Sequence, residues 1–408
     1  MAAQLEEQTT PRIAGVGLLT PLGASAWATF SALLGGRRVT DVAGGIDAGP
    51  GGHVPLMDFV RGVGSVSLAR HTATDPAVEL AERAAREAIA EAGVEAWGLP
   101  TYVGCSKGAV TALAAAVDAG VHLDERQASV IALGPHGFVA AELERRLNVE
   151  GRGCFVAACA SGLCALEAAW RDVSSGAVEA ALVVSAEAAL EPVYVRSYQR
   201  LGVLAEATPG GYRQRPLAQE RAGVVLAEAG AAVVLTRNDS DRGVSLRAMA
   251  SASDAHDMLR ADPAMSATRA VTERLVAGRA VSVVHPHAPG TRDHDAAELR
   301  VVADVLREGF DPLQERDPVS VYANKGALGH ALGASGLSSV VIAALVARTG
   351  KRPPMPWLAE GGAEAGLGLP IDAAGGEVPR GGAQLVLASG FGGGVWGALL
   401  GDPHASRG

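Results

Sequence analysis

Cys154-Phe155-Val156-Ala157-Ala158-Cys159-Ala160-Ser161-Gly162-Leu163 places a cysteine at the joint between an apolar run and an amphipathic segment. Residues 154–158 have the short apolar pattern of a buried strand, whereas Leu163, Leu166 and Trp170 recur at helical spacing in a segment ending near Gly176. Cys159 is therefore expected at a helix N-terminus. Unpaired backbone N–H groups and the positive end of the helix dipole favour thiolate there, and the small neighbours Ala160 and Gly162 let a substrate carbonyl approach the backbone. For any single cysteine the alternative is a small buried hydrophobe.

The surrounding chain has 408 residues, enough for two core-bearing units, and its high Ala and Gly content with 4% aromatics suits helices packed closely on sheets. A net charge of −9 without a dense Lys/Arg run argues against a nucleic-acid surface. Cys105, Cys154, Cys159 and Cys164 form no CxxC pair and suit neither a zinc ribbon nor a disulfide framework, so they read as reduced intracellular thiols. Residues 1–7 are acidic without an apolar core, and no apolar run of about 18 residues appears. A cytoplasmic protein with no membrane span is expected.

Strand-like and helix-like segments alternate, the pattern of an α/β architecture. Strands are expected at 13–18, 102–105, 155–158, 180–185, 244–248, 282–285, 319–322, 384–388 and 395–400, and helices at 25–34, 77–92, 264–277, 296–306 and 333–348. Thr74-Asp75-Pro76 opens the helix at 77–92 and Gly93 closes it. The Gly/Pro-rich stretches 41–57, 206–216 and 350–382 read as loops. Strand, small-residue turn and Ala-rich helix surround Cys159 and return from residue 319 onward, which suggests two related halves.

Three further motifs carry chemistry. They are His285-Pro286-His287-Ala288-Pro289-Gly290-Thr291 with Asp295 and Glu298 behind it, Asn324-Lys325-Gly326-Ala327-Leu328-Gly329-His330, and Gly390-Phe391-Gly392-Gly393. With the Cys159 stretch and Gly15-Val16-Gly17-Leu18-Leu19-Thr20-Pro21-Leu22-Gly23, this ordered set resembles the β-ketoacyl-acyl carrier protein synthases of the Cys-His-His class. Those are elongating ketosynthases of the thiolase superfamily, from fatty-acid and polyketide synthesis. The resemblance covers nearly the whole chain. It implies an α/β thiolase fold with layered α-β-α-β-α packing and two pseudo-repeated halves, residues 1–240 and 241–408. It further implies that Cys159 carries the acyl group and that His287 and His330 stabilise the enolate of a decarboxylated malonyl thioester. Lys325 would position one histidine. The N–H groups of Cys159 and Phe391 would form the oxyanion hole, with Phe391 also gating the acyl pocket. Thr291 would bind the phosphopantetheine arm, and Lys107, Tyr198, Gly392 and Gly393 would line the substrate site.

The same resemblance implies substrates carried by an acyl carrier protein, no bound metal or redox cofactor, and a dimer. That dimer would be a homodimer or a pair with a ketosynthase-like partner, with the strand before Cys159 at the interface. Motif register selects His287 over His285, which would share its face on a strand. The other histidines, His53, His71, His122, His136, His256, His294 and His404, read as core or surface residues. Glu228, Asp295 and Glu298 read as structural, and Arg196 and Arg200 as surface arginines or carrier contacts.

Several positions depart from the family pattern. Pro289 replaces a threonine, Ser339 a glutamate that would pair with Lys325, Val395 an asparagine, and Leu217-Ala218-Gln219 a Phe-Asp pair. Lys107 stands where an apolar pocket residue is usual, and Tyr198 adds a hydroxyl. A buried unpaired lysine is costly, so the pocket is expected to be polar or short, or Lys107 to turn away. The acyl chain is then something other than a routine long saturated one. A non-elongating acyltransferase on the same fold is the alternative activity, kept open by Pro289 and Ser339. A chain-length-factor-like partner subunit is a third reading, against which the retained Cys159 counts.

Overall fold

A computed structural model describes residues 10–39, 53–54, 75–205, 207–208, 211–212, 214–237, 243–309, 318–359 and 362–401. The loop expected at 41–57 falls almost wholly outside the described residues, as do Thr74, His71 and His404. Behind the first strand, Arg12–Leu19 (β1), the Ser25 hydroxyl accepts the Ala28 N–H and opens Ala26–Leu34 (α1). Asp75 caps Pro76–Ala92 (α2), which ends at Gly93 with φ 67°. The first half continues through Pro100–Gly104 (β2), Val110–Ala119 (α3), Glu125–Leu147 (α4), Glu150–Phe155 (β3), Ser161–Ser174 (α5), Ala180–Glu187 (β4), Pro192–Arg200 (α6) and Ala229–Thr236 (β5). The second comprises Val244–Ser253 (β6), Ser266–Val276 (α7), Val283–His285 (β7), Arg292–Glu308 (α8), Ser320–Val321 (β8), Lys325–Leu328 (α9), Ser335–Thr349 (α10), Gln384–Ser389 (β9) and Gly394–Leu400 (β10).

These ten strands form a sheet in the order β8-β7-β9-β10-β6-β1-β5-β4-β2-β3. Its centre is a thin seam, Arg12 paired with Ser245 and Ile13 with Val244. On both sides of the seam the pattern is the same. Numbered within its own half, each side runs 3-2-4-5-1, with strands 2, 3 and 4 parallel and strand 5 antiparallel to both neighbours. Helices α5 and α10 lie between the two sides and touch both; α2 and α4 cover the outer face of the first, α7 that of the second with α8 behind it. This is the thiolase-type layering.

The two central helices begin alike, Ala160-Ser161-Gly162-Leu163 and Ala334-Ser335-Gly336-Leu337. They cross where each glycine faces the other's leucine. A Cβ on Gly162 would lie 2.9 Å from Leu337 Cβ, and one on Gly336 2.6 Å from Leu163 Cδ1, so a larger residue at Gly162 meets fixed atoms and one at Gly336 must push the end of Leu163 aside. Buried almost throughout, α10 belongs to the core. Together with its preceding turn, Leu332–Thr349, it is long and apolar enough to cross a membrane, yet 89% of that span is buried inside the protein.

The strand leading to Cys159 is displaced from its expected place. It runs Glu150–Phe155 along the sheet edge and is largely exposed, so it lacks the apolar signature of a buried strand. The apolar residues after it form a turn, where Val156 is 57% exposed. The sequence reading also omitted β5, α3, α4 and α6. In α4, Gly134 (φ 70°) and Pro135 interrupt the helical pattern.

Candidate active site

The turn after β3 is fastened by the first residue of α5. Ser161 Oγ donates to Ala158 O at 2.7 Å and accepts the Ala157 N–H at 2.9 Å. Cys159 therefore stands two residues ahead of the helix, as expected. It is buried among Val110, Ala189, Tyr198, Val224, Leu226 and Leu332. This burial pushes its thiol up to about 11, although the Lys325 and Lys107 ammonium charges and its own backbone N–H pull the other way. Burial thus opposes the thiolate expected from the helix end.

β7 stops at His285, so strand alternation does not extend to His287. His285 packs edge-on against Tyr322 at 6.1 Å and places Nε2 3.0 Å from Gln384 Oε1; burial holds it near a pKa of about 4. The His287 loop is held from below by α8. Glu298 accepts the N–H groups of His287 (2.7 Å) and Ala288 (2.8 Å), while Asp295 accepts those of Gly290 (3.0 Å), Thr291 (3.2 Å) and Leu217 (3.0 Å). The two acidic residues thereby act as loop anchors.

His330 is pinned through its backbone to Val225 O (2.7 Å) and the Ala227 N–H (3.1 Å). Its Nδ1 accepts the Leu332 N–H at 3.1 Å and lies 2.9 Å from the Ser335 hydroxyl. Because a backbone N–H can only donate, Nδ1 is unprotonated and Nε2 carries the hydrogen. The His287 and His330 rings meet at 5.6 Å and 76°. Burial first, and then the Lys325 charge, keep both well below the ordinary histidine range and hence neutral. His287 Nδ1 is buried without a hydrogen-bond partner among the described residues.

Lys325 Nζ donates to the His287 carbonyl. No carboxylate among the described residues pairs with it, and Ser339 instead accepts the Asn324 amide at 3.0 Å. Burial lowers Lys325 to about 8, against the pull of Glu298, Cys159 and Asp295. One ammonium thus acts on the thiol and both imidazoles.

A third histidine belongs here, contrary to the sequence reading. His294 lies edge-on to His287 at 5.1 Å with Nε2 3.6 Å from Glu298 Oε2. Burial alone would depress it, but the Glu298 carboxylate carries it above the usual range. Its only sequence signal is its position at the start of α8, seven residues beyond His287 and one before Asp295.

The Phe391 loop rests on the Cys159 turn. A Cβ on Gly390 would come 2.6 Å from Ala157 O, while Gly392 and Gly393 take φ of 91° and 76°. Phe391 is 39% exposed and stacks on Tyr198 at 6.4 Å and 24°. Its N–H donates to no backbone carbonyl among the described residues. Thr291 precedes α8, but its hydroxyl does not cap the helix. Lys107 is partly exposed, with Nζ 5.9 Å from the Tyr194 ring centre. Arg196 and Arg200 are exposed on α6.

Three of the eight left-handed non-glycine residues among those described lie at the same three places. Ala158 (φ 47°), Ala288 (φ 29°) and Leu332 (φ 41°) are left-handed non-glycine residues within two positions of Cys159, His287 and His330. Such conformations cost about 1–3 kcal/mol each and persist where the surroundings enforce them.

Residues 12–241 match the family described as beta-ketoacyl synthase, N-terminal domain, and residues 244–358 its C-terminal domain. The 3-oxoacyl-[acyl-carrier-protein] synthase 2 of Mycobacterium bovis is 30% identical over 234 residues, 54% of each chain. The chain spans about half the length of such mycobacterial relatives. The oxytetracycline polyketide putative beta-ketoacyl synthase 1 of Streptomyces rimosus is 27% identical, with 97% of each chain covered. A chain from a complex of a type II polyketide acyl carrier protein with its hexaketide-bound ketosynthase superposes with TM-score 0.78 at 18% identity, covering 97% of this chain and 99% of that one. The ishigamide ketosynthase/chain length factor gives 0.77 at 20% identity, with the same coverage. Matched in both its halves, this chain belongs to the β-ketoacyl synthase family.

Proposed function

We propose that the protein is a decarboxylating ketosynthase that joins an acyl group on Cys159 to a malonyl unit, both delivered on the phosphopantetheine of an acyl carrier protein. The observation that carries this reading is the pair of neutral, buried imidazoles 5.6 Å apart, with Leu332, two residues beyond His330, packed in one cluster with Cys159. His330, with Nδ1 occupied, presents a fixed Nε2–H donor. His287, whose Nδ1 has no hydrogen-bond partner among the described residues, is free to take the thiol proton as Cys159 attacks the incoming thioester. Loss of carbon dioxide from the malonyl thioester leaves an enolate, and two imidazole N–H groups stabilise its oxygen. The carbanion then attacks acyl-Cys159, whose oxyanion the Cys159 and Phe391 N–H groups receive. Lys325 positions His287 through its carbonyl. The Thr291 hydroxyl, which caps nothing, suits the pantetheine arm; Pro289 offers none. No step calls for a metal or redox cofactor.

The function is cytoplasmic, and its two halves divide at 240/241. The exposed edge strand β3 and the exposed Val117, Val121, Ile131, Leu133 and Val156 suit a dimer, with a second copy or a ketosynthase-like partner. Arg196 and Arg200 beside exposed Val193 and Leu201 suit an acidic carrier protein.

The test is to load the protein from acyl carrier thioester, add malonyl carrier protein, and follow protein and product by mass spectrometry, with Cys159→Ala as control. A β-ketoacyl product that requires Cys159 is expected. Acylation without condensation would refute the ketosynthase reading in favour of acyl transfer, and no acylation would favour a partner subunit. His330→Ala should spare acylation and abolish carbon dioxide release.

A further inference from the structure

We propose that the acyl group Cys159 accepts ends in a carboxylate, so that the substrate is a short dicarboxylic acid held as a mono-thioester with its free end on Lys107. This rests on the reading of Cys159 as the acyl-carrying residue. Lys107 lies in the loop between β2 and α3, where its backbone N–H donates to Glu187 Oε1 at 3.3 Å. Its side chain turns over the Tyr194 ring. Among the described residues its ammonium makes no ion pair, yet its charge acts on both Cys159 and Glu187. The wall between thiol and ammonium is apolar and aromatic: Val110, Ala189, Tyr198 and Leu332 pack with Cys159, and Tyr194 lies against them. Phe391 stacks on Tyr198 there.

An alkyl chain on Cys159 would meet this wall first and then an ammonium that makes no ion pair among the described residues. A saturated chain pushed against Lys107 would strip its water and return nothing, whereas a carboxylate would return charge-assisted hydrogen bonds. Glu187 adds a second polar contact. It is wholly buried, its Oε1 takes the Ser106 and Lys107 N–H groups, and its Oε2 has no partner. Burial raises this carboxyl to about 7 against the pull of the Ser106 and Lys107 N–H groups and the Lys107 charge. Because one ring, Tyr194, both packs against the Cys159 cluster and carries Lys107 over its face, the chain between thiol and ammonium is short.

The transfer is ordinary thioester exchange. A C–S bond forms between Cys159 Sγ and the carbonyl carbon as the carrier's C–S bond breaks, the proton ends on the carrier sulfur, and the distal carboxylate is unchanged. The test compares pantetheine thioesters of glutaric and pentanoic acid, which have the same carbon count, as acylating agents for the full chain, followed by intact-protein mass spectrometry. Wild type should load glutaryl about tenfold faster than pentanoyl, the size expected of a hydrogen bond to a charged group. Lys107→Met should erase the preference and still load pentanoyl, and Lys107→Arg should retain part of it. Equal or faster loading of pentanoyl by wild type, or a glutaryl preference that survives Lys107→Met, would overturn the proposal. If condensation with malonyl carrier proceeds from both acyl groups at equal rates, only this proposal falls; if neither labels Cys159, the reading beneath it falls as well.

Discussion

Alkylation of Cys159 by iodoacetamide should keep climbing from pH 7 to pH 10 without levelling off. The perturbation is pH alone, and the magnitude follows from a thiol pushed up to about 11 by burial. Four units below that value, about one molecule in ten thousand carries the thiolate at pH 7. An exposed thiol at the ordinary 9.0 would have about one in a hundred, so Cys159 should react about a hundredfold more slowly than such a thiol at pH 7. The sign of a second perturbation is also fixed: Lys325 pulls the thiol down, so Lys325→Met should slow alkylation at pH 8 further. Initial rates resolved by peptide mass spectrometry separate Cys159 from Cys105, Cys154 and Cys164. A plateau below pH 9 would refute the reasoning, because it would mean that the helix end, rather than burial, governs the thiol. Deprotonation then belongs to the attack itself, not to the resting protein.

Ser335→Ala removes one of the two partners of His330 Nδ1 and leaves the Leu332 N–H; at about 1 kcal/mol for such a bond, carbon dioxide release should fall about fivefold with acylation unchanged. Gly162→Ala drives a methyl to 2.9 Å from Leu337 Cβ and should lower stability by about 1–3 kcal/mol, seen as a lower urea midpoint, with Gly336→Ala similar. His294→Gln removes a cation that depresses both catalytic imidazoles, so their pKa values rise and the acid limb of the decarboxylation profile should move to higher pH. An unmoved limb would deny His294 any electrostatic role.

The three motifs could be read from sequence because each keeps its residue types in order on a local turn. His287, His330 and Lys325 are indeed brought together, and His285 is turned aside. What the sequence hid was set by contacts between distant segments. His294 looked like an ordinary polar residue at a helix start, and only packing against His287 gives it a role. The thiol's protonation depends on neighbours from five segments, which no local dipole argument contains. β3 escaped because an edge strand, Glu-Gly-Arg-Gly-Cys-Phe, lacks an apolar face, and β5 because Ala-Gly-Ala-Ala resembles a turn or helix. α4 carried a readable start, Asp124 with Gln127 in a reciprocal cap, which its internal Gly134-Pro135 masked.

The repeated Ala-Ser-Gly-Leu crossing constrains how this chain can change over time. Ser161 ties down the nucleophile's turn and the equivalent Ser335 ties down His330, so one clamp serves two different groups. A methyl at Gly162 would press on Leu337 Cβ, Gly333 O and Ser185 Oγ together, so no exchange at Leu337 alone makes room for it, whereas one at Gly336 meets the end of the Leu163 side chain. Gly162 is therefore held by three neighbours at once, and the helix start that carries both serine clamps has less room to change than the walls around it.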